Sequence, residues 1–182
     1  MSKNPVPALV LTLLTAAACT AQAGHPAMTH RDSAIAAARE IMGLQKYCAL
    51  ITVDSLGRPH ARTMNPFPPE EDMTVWIATN SRSRKVAEIR QNPVVCVYYA
   101  DHENAQGCVA ITGRAVLVDD QAEKMKRKRE YWTQAFPDWK YLVLIKVIPE
   151  TMDVLNYRMG FLNDPVTWKT PTVEFRDGLP RQ

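Results

Sequence analysis

Residues 62–99 read RTMNPFPPEEDMTVWIATNSRSRKVAEIRQNPVVCVYY, and this stretch decides the fold of the chain. Its apolar segment 73–79 predicts a strand, and a polar turn leads from that strand into a short helix at 84–91. Ser83 is suited to cap this helix, which ends before Pro93. The run of Val and Tyr residues at 94–100 predicts the next strand. A strand, a short helix and a second strand are therefore expected in close succession.

The flanking segments extend this pattern of short strands. The further strands predicted from apolar runs and turns are 47–53, 59–65, 107–118, 141–148 and 151–157. Helices are predicted at 33–45 and from 120 to about 135, and turns at 54–57 and at Pro149-Glu150. Short connections favour antiparallel pairing, and many short strands favour a barrel. The Gly-x-Gly-x-x-Gly motif of a doubly wound α/β fold is absent from the sequence.

The turn before the short helix carries side chains that suit a phosphate group. A helix N-terminus offers unpaired backbone N–H groups and the positive end of the helix dipole. The hydroxyls and cations beside it are Thr79, Ser81, Arg82, Ser83, Arg84 and Lys85. Arginine can bind a phosphate dianion through two nitrogens at once. The same residues also fit a solvated basic turn without a ligand, so the spacing leaves both interpretations open.

Five short motifs follow one another along the chain. They are Arg62-Thr63-Met64-Asn65, Ala78-Thr79-Asn80, Ser83-Arg84-Lys85, Asn92-Pro93 and Gly113-Arg114-Ala115. In this order they resemble the pyridoxamine 5′-phosphate oxidase-like FMN-binding split-barrel family, in its general-stress-protein branch. The resemblance covers residues 35–157 and implies a mainly β (α+β) fold, namely an antiparallel split β-barrel with flanking helices, for a domain that we place at residues 33–182.

The resemblance also implies a site for FMN. Arg62, Arg84 and Lys85 correspond to ligands of the FMN phosphate, with the Ser83 hydroxyl beside them. The other implied flavin contacts are Thr63, Met64 and Asn65 along the isoalloxazine ring, Ala78 and Thr79 at the ribityl chain or phosphate, and Gln106 from the other subunit. The resemblance identifies no catalytic side chain.

The function implied is that of an FMN-dependent oxidoreductase of unknown substrate, with the flavin at a homodimer interface. We expect the subunit seam along 94–99 and 107–118, with Trp132 and Trp168. The alternative is a non-catalytic protein that binds or senses a flavin, a deazaflavin or haem. True pyridoxamine 5′-phosphate oxidases end in a basic, His-containing segment, whereas residues 161–182 contain no His. Oxidation of vitamin B6 is therefore not expected.

The N-terminus predicts export. Its apolar run, residues 8–18, is shorter than the ~20 residues of a membrane span. Ala21-Gln22-Ala23 fits a cleavage site, so we expect a signal peptide at 1–23 and a linker at 24–32. Cys19 also fits a lipoprotein signal cleaved before it, and its lipid would then be the protein's contact with a membrane. The expected location is the periplasm or a lipid anchor at the cell envelope.

Composition argues against two classes of partner. The 182 residues carry a formal net charge of +3, which is too small to indicate nucleic acid as the main partner. Cys48, Cys96 and Cys108 include no Cys-x-x-Cys pair, so no metal site is predicted. These cysteines are expected to be small core residues, with one disulfide among them left open.

Overall fold

In the computed structural model, which describes residues 30–175, an antiparallel sheet is flanked by short helices. Its strands are β1 (Cys48–Val53), β2 (Pro59–Met64), β3 (Val75–Asn80), β4 (Val94–Ala100), β5 (Gly107–Val118), β6 (Leu142–Asn156) and β7 (Thr172–Glu174). The helices are α1 (His30–Leu44), α2 (Arg84–Gln91), α3 (Gln121–Lys126) and α4 (Trp132–Ala135), with a 3₁₀ turn at Trp139–Tyr141. The predicted mainly β, antiparallel fold is confirmed.

The sheet follows the order β2-β1-β4-β5-β6-β3, and β7 pairs with β6 beside β3. Among the described residues no ladder joins the two end strands of this path, β2 and β3, but Pro66, just after β2, forms an isolated bridge with Ile77 of β3. There the Phe67 N–H donates to the Trp76 carbonyl over 2.9 Å. The sheet therefore curves into a barrel that stays split rather than closed.

Alternating residues of the strands face the main core. On β4 the buried positions are Val95, Val97 and Tyr99. Apolar residues of α1 cover the core, namely Ala34, Ala37, Ala38, Ile41 and Met42. The predicted helix over 33–45 is thus present, although it begins earlier, at His30. Residues 24–29 of the predicted linker and the predicted signal at 1–23 lie outside the described residues.

A second core lies on the far side of β3 and β6. It contains Trp76, Trp132, Leu142 and Leu144. Trp132 is fully buried and meets Phe67 edge to face, so it is unavailable to a subunit seam, contrary to the prediction. This core depends on aromatic edge-to-face packing, which is favourable beyond the area that it buries.

The single helix predicted over 120–135 is two short helices. Asp120 caps the first, as predicted, by accepting a hydrogen bond from the Glu123 N–H over 2.8 Å. The chain then leaves the helix, and the guanidinium groups of Arg127 and Arg129 lie over Trp76 and Phe67, 3.7 and 4.0 Å from the ring centroids. These cation–π contacts hold the linking segment against the second core.

The turn predicted at Pro149-Glu150 is wrong, because β6 runs through both residues without interruption. Proline is tolerated in strands at bulges and edges, since it has no N–H to donate. Pro149 lies opposite Gly113, where the β5–β6 register shifts, and between the segments of β6 that pair with β3 and β7. The short strand β7 was not predicted.

We expect Gly113→Ala to destabilise the fold by about 1–3 kcal/mol, as overpacking does. A Cβ at this position would collide with the Ile148 carbonyl oxygen, so the backbone of the bulge would have to move. Urea unfolding followed by tryptophan fluorescence measures the loss.

Gly43→Ala is the matched control. Gly43 lies in α1, and a Cβ there would meet nothing within 4 Å. This change should leave stability unaltered or raise it by about 0.5–1 kcal/mol, because alanine favours the helix. Equal stability of the Gly113→Ala protein and the wild type would show that the bulge does not require glycine.

Candidate functional site

The N-terminus of α2 follows β3 directly and presents an unpaired hydroxyl. Ser83 precedes the helix in extended conformation, with φ −71° and ψ 149°, and its side chain does not cap the helix. Its Oγ is buried and has no hydrogen-bond partner among the described residues. A buried hydroxyl without a partner costs free energy, so this position favours a ligand that supplies an acceptor.

Arg62 reaches this helix from β2 across β1. Its Nη1 donates to the Thr52 hydroxyl over 2.5 Å, and its Nη2 donates to Glu88 Oε2 over 2.9 Å. Arg84 pairs with the other oxygen of the same carboxylate, Nε to Oε1, over 3.2 Å. The carboxylate of Glu88 therefore lies between two guanidinium groups and holds that of Arg62 by a hydrogen bond.

Glu88 is 4% exposed. Burial alone would raise the pKa of this carboxyl, but hydrogen bonds from Thr52 and Arg62 outweigh it. The charges of Arg62 and His60 act in the same direction, so the pKa of Glu88 lies below its ordinary value. Glu88 is thus an anion at neutral pH, buried among cations.

Lys85 is the third cation at this helix end. Its Nζ donates to the Thr79 hydroxyl over 3.0 Å. Burial, followed by repulsion from Arg62, lowers the pKa of Lys85, while the Glu88 carboxylate opposes this shift. A second negative charge at this place would relieve the repulsion between the cations.

His60 and Asp54 extend the network along the β1–β2 hairpin. His60 Nε2 lies 3.1 Å from Asp54 Oδ2 and 3.8 Å from Glu88 Oε1. The Arg58 N–H and then the His60 ring hold the pKa of Asp54 well below its usual range. This carboxylate also pairs with the Arg58 side chain over 2.8 Å.

We call Arg62, Thr79, Ser83, Arg84, Lys85 and Glu88 the α2 cluster. Five of its members were predicted for the flavin site from the sequence, whereas Glu88 and its partner Thr52 were missed. One signal was present, since Arg84 and Glu88 have the i, i+4 spacing of a helical ion pair. Thr52 carried no such signal, because only the strand register brings it beside Arg62.

The other predicted flavin contacts of this region lie at the end of β2, directly after it, and in β3. Thr63 is exposed, Met64 is partly buried against the main core, and Asn65 follows the strand. The Pro66–Ile77 bridge sets this end of β2 beside Ala78, which packs against the second core. Within one chain, Gln106 does not contact the α2 cluster; its side-chain amide donates to the Asn104 carbonyl over 3.2 Å.

The described part of the chain contains no group of three or more His, Cys, Asp or Glu side chains arranged to hold a metal ion. Its three cysteines are free thiols, and burial raises the pKa of the Cys48 thiol to about 12. No helix between residues 30 and 175 has the length and apolar character needed to cross a membrane.

Solved structures resemble this fold. General stress protein 26 from Bacillus anthracis is 26% identical, with a TM-score of 0.57 over 66% of this chain and 92% of that one. A related protein from Clostridium acetobutylicum is 17% identical, with a TM-score of 0.64 over 80% of this chain and 96% of that one. A pyridoxamine 5′-phosphate oxidase-related, FMN-binding protein from Nostoc punctiforme is 19% identical, with a TM-score of 0.54 over 83% and 99%.

No curated protein matches the sequence. The sequence profile of the family described as pyridoxamine 5′-phosphate oxidase matches residues 34–155, which include every strand from β1 to β5, nearly all of β6 and the whole α2 cluster. The chain therefore belongs to the pyridoxamine 5′-phosphate oxidase family.

Proposed function

We propose that this protein binds FMN, with the phosphate at the α2 cluster, and that it is an FMN-dependent oxidoreductase. One observation carries the proposal. Arg62 and Arg84 pair with Glu88 in the first two turns of α2, Lys85 reaches Thr79 beside the start of the helix, and the buried Ser83 hydroxyl lacks a partner among the described residues. Such a set of cations and donors fits the oxygens of a phosphate monoester.

Charge supports the same ligand. The cluster holds three cations and the single buried carboxylate of Glu88, so its net charge by subtraction is +2. A phosphate monoester carries about −1.5 to −2 at neutral pH. Bound phosphate would therefore neutralise the site and relieve the repulsion that lowers the pKa of Lys85.

The chain's own residues would bind and orient the cofactor. Glu88 and Thr52 hold the Arg62 guanidinium in place before any ligand arrives, which reduces the ordering needed on binding. Residues 63–65 and Ala78 form one continuous path from the cluster, because the Pro66–Ile77 bridge joins β2 to β3. This path is suited to the ribityl chain and ring. Bound FMN would supply the hydride or electron transfer.

A homodimer is the second part of the proposal. The outer face of the sheet carries partly buried apolar residues along β1, β4, β5 and β6, with the polar Thr112, Thr151 and Asp153 among them; the apolar ones include Ile51, Cys96, Tyr98, Ala110 and Leu155. Exposed Trp168 remains available to a seam. A partner docked on this face would bury it and would bring its Gln106 to a shared flavin site.

Export is proposed from the sequence alone, since the signal lies outside the described residues. We also propose that vitamin B6 is not the substrate, because residues 161–182 lack His.

We expect Arg62→Ala and Lys85→Ala each to weaken FMN binding by about 1–3 kcal/mol, the cost of a lost charge-assisted hydrogen bond. Quenching of flavin fluorescence during titration gives the affinity. The visible spectrum of the protein as isolated, with mass spectrometry of any released ligand, tests the cofactor itself and separates FMN from a deazaflavin or haem.

Lys126→Ala is the control, because Lys126 is exposed at the end of α3 and outside the cluster. Circular dichroism should show that all three variants fold. Equal weakening by all three changes would mean that general charge, rather than a phosphate site, attracts the flavin.

Light scattering at micromolar concentration should find a dimer that Ala110→Arg converts to a monomer. Ala110 lies on the outer face of β5, opposite Tyr98 and Asp153, so a long cation there would block a close seam. Val166→Arg, at a side chain that is 85% exposed, should leave the dimer intact. A wild-type monomer that holds FMN tightly would rule out the shared site.

A further inference from the structure

A cavity of about 380 Å³ lies apart from the α2 cluster. It is bounded by the last turns of α1, the loop 66–69, Tyr99 of β4 and Arg129 beyond α3. No member of the α2 cluster lines it. The volume is within the range of ~300–1,000 Å³ found for sites of small organic ligands.

One wall of the cavity is apolar and held in place. Met42, Phe67 and three prolines of the loop line it. Arg39 anchors the loop by donating to the carbonyls of Pro69, Glu70 and Glu71 over 3.1, 2.5 and 3.2 Å. Proline rings restrict the backbone further, so the wall exists before a ligand binds.

The cavity also carries two positive charges that no carboxylate balances. Arg39 donates to backbone carbonyls, and Arg129 donates to Asn65 Oδ1 and the Pro66 carbonyl, each over 2.7 Å. Neither arginine forms an ion pair with Asp or Glu among the described residues. By contrast, Arg62, Arg127 and the buried Lys124 have carboxylate partners. Two unbalanced guanidinium groups beside one cavity favour an anion.

Tyr99 lines the same cavity, but its hydroxyl is buried behind the cavity wall. It is 2% exposed, and its hydroxyl makes no hydrogen bond to any oxygen or nitrogen of the described residues. Its polar neighbour is the Cys48 thiol, which is a weak partner. Burial, with the adjacent thiol, raises the pKa of Tyr99, so the hydroxyl keeps its proton and stays a donor.

From the apolar wall and the two arginines we propose that the cavity binds a small organic carboxylate with an apolar body, at a site distinct from that of the flavin. The apolar wall would take the hydrocarbon part of the ligand, and Arg39 and Arg129 would take the carboxylate. Inorganic phosphate suits the cavity less, because most of the wall offers it no donor. The proposal does not rest on FMN binding, since the two sites share no residue.

Isothermal titration calorimetry on the whole protein tests this site, with benzoate, phenylacetate and hexanoate as probes. At least one carboxylate should bind, while benzamide and inorganic phosphate should bind at least tenfold more weakly. Arg129→Gln should weaken carboxylate binding by about tenfold or more, as expected for a lost charge-assisted hydrogen bond.

Arg90→Gln is the matched control, because Arg90 is exposed on α2 and does not line the cavity. It should leave carboxylate binding unchanged, and added FMN should not displace the carboxylate. Failure of all three carboxylates to bind, equal binding of benzamide, or equal losses in the Arg129 and Arg90 variants would overturn the proposal. Displacement by FMN would also overturn it, since the flavin would then occupy this cavity.

Discussion

The pairing of β5 with β6 over the full length of β5 is the constraint on which the rest of the sheet depends. On its other edge, β6 holds β3 with its first half and β7 with its second, so one strand joins both parts of the split barrel. The strand remains continuous because Gly113 allows the backbone of β5 to approach Ile148 at the register shift. The position of β3, and hence the start of α2, follows from this ladder.

The buried carboxylate of Glu88 links the strands of this sheet to helix α2 at the candidate site. It joins Arg62 of β2 and Arg84 of α2, and Thr52 of β1 bonds to both Arg62 and Glu88. Buried ion pairs contribute little net stability, but removing one partner costs about 3–5 kcal/mol because the other charge is left unpaired. The main effect of the network is therefore to hold the Arg62 guanidinium in place beside α2, rather than to stabilise the fold.

Unbalanced positive charge occurs in two places with different surroundings. At the α2 cluster, two arginines share one carboxylate and Lys85 lies nearby on Thr79, beside the start of a helix, which favours a compact, highly charged phosphate. Beside Arg39 and Arg129 the wall is apolar and no helix N-terminus contributes, which favours a ligand that is mostly hydrocarbon. Asn65 connects the two regions, since it follows the strand that leads from Arg62 and accepts a hydrogen bond from Arg129.

The sequence by itself determined the local features. The strands up to β5 and the short helix α2 were predicted from hydrophobic periodicity and turn residues, and the cations at the start of α2 from the Ser83-Arg84-Lys85 motif. These features were predictable because each signal depends on neighbours a few residues apart. Only the tertiary structure decided that Pro149 continues a strand, that Trp132 is buried and that Thr52 and Glu88 meet Arg62. The cavity also could not be predicted from the sequence, because its lining comes from distant segments: α1, the loop 66–69, Tyr99 and Arg129. These outcomes depend on strand register and on contacts between distant segments, and local sequence patterns do not encode them.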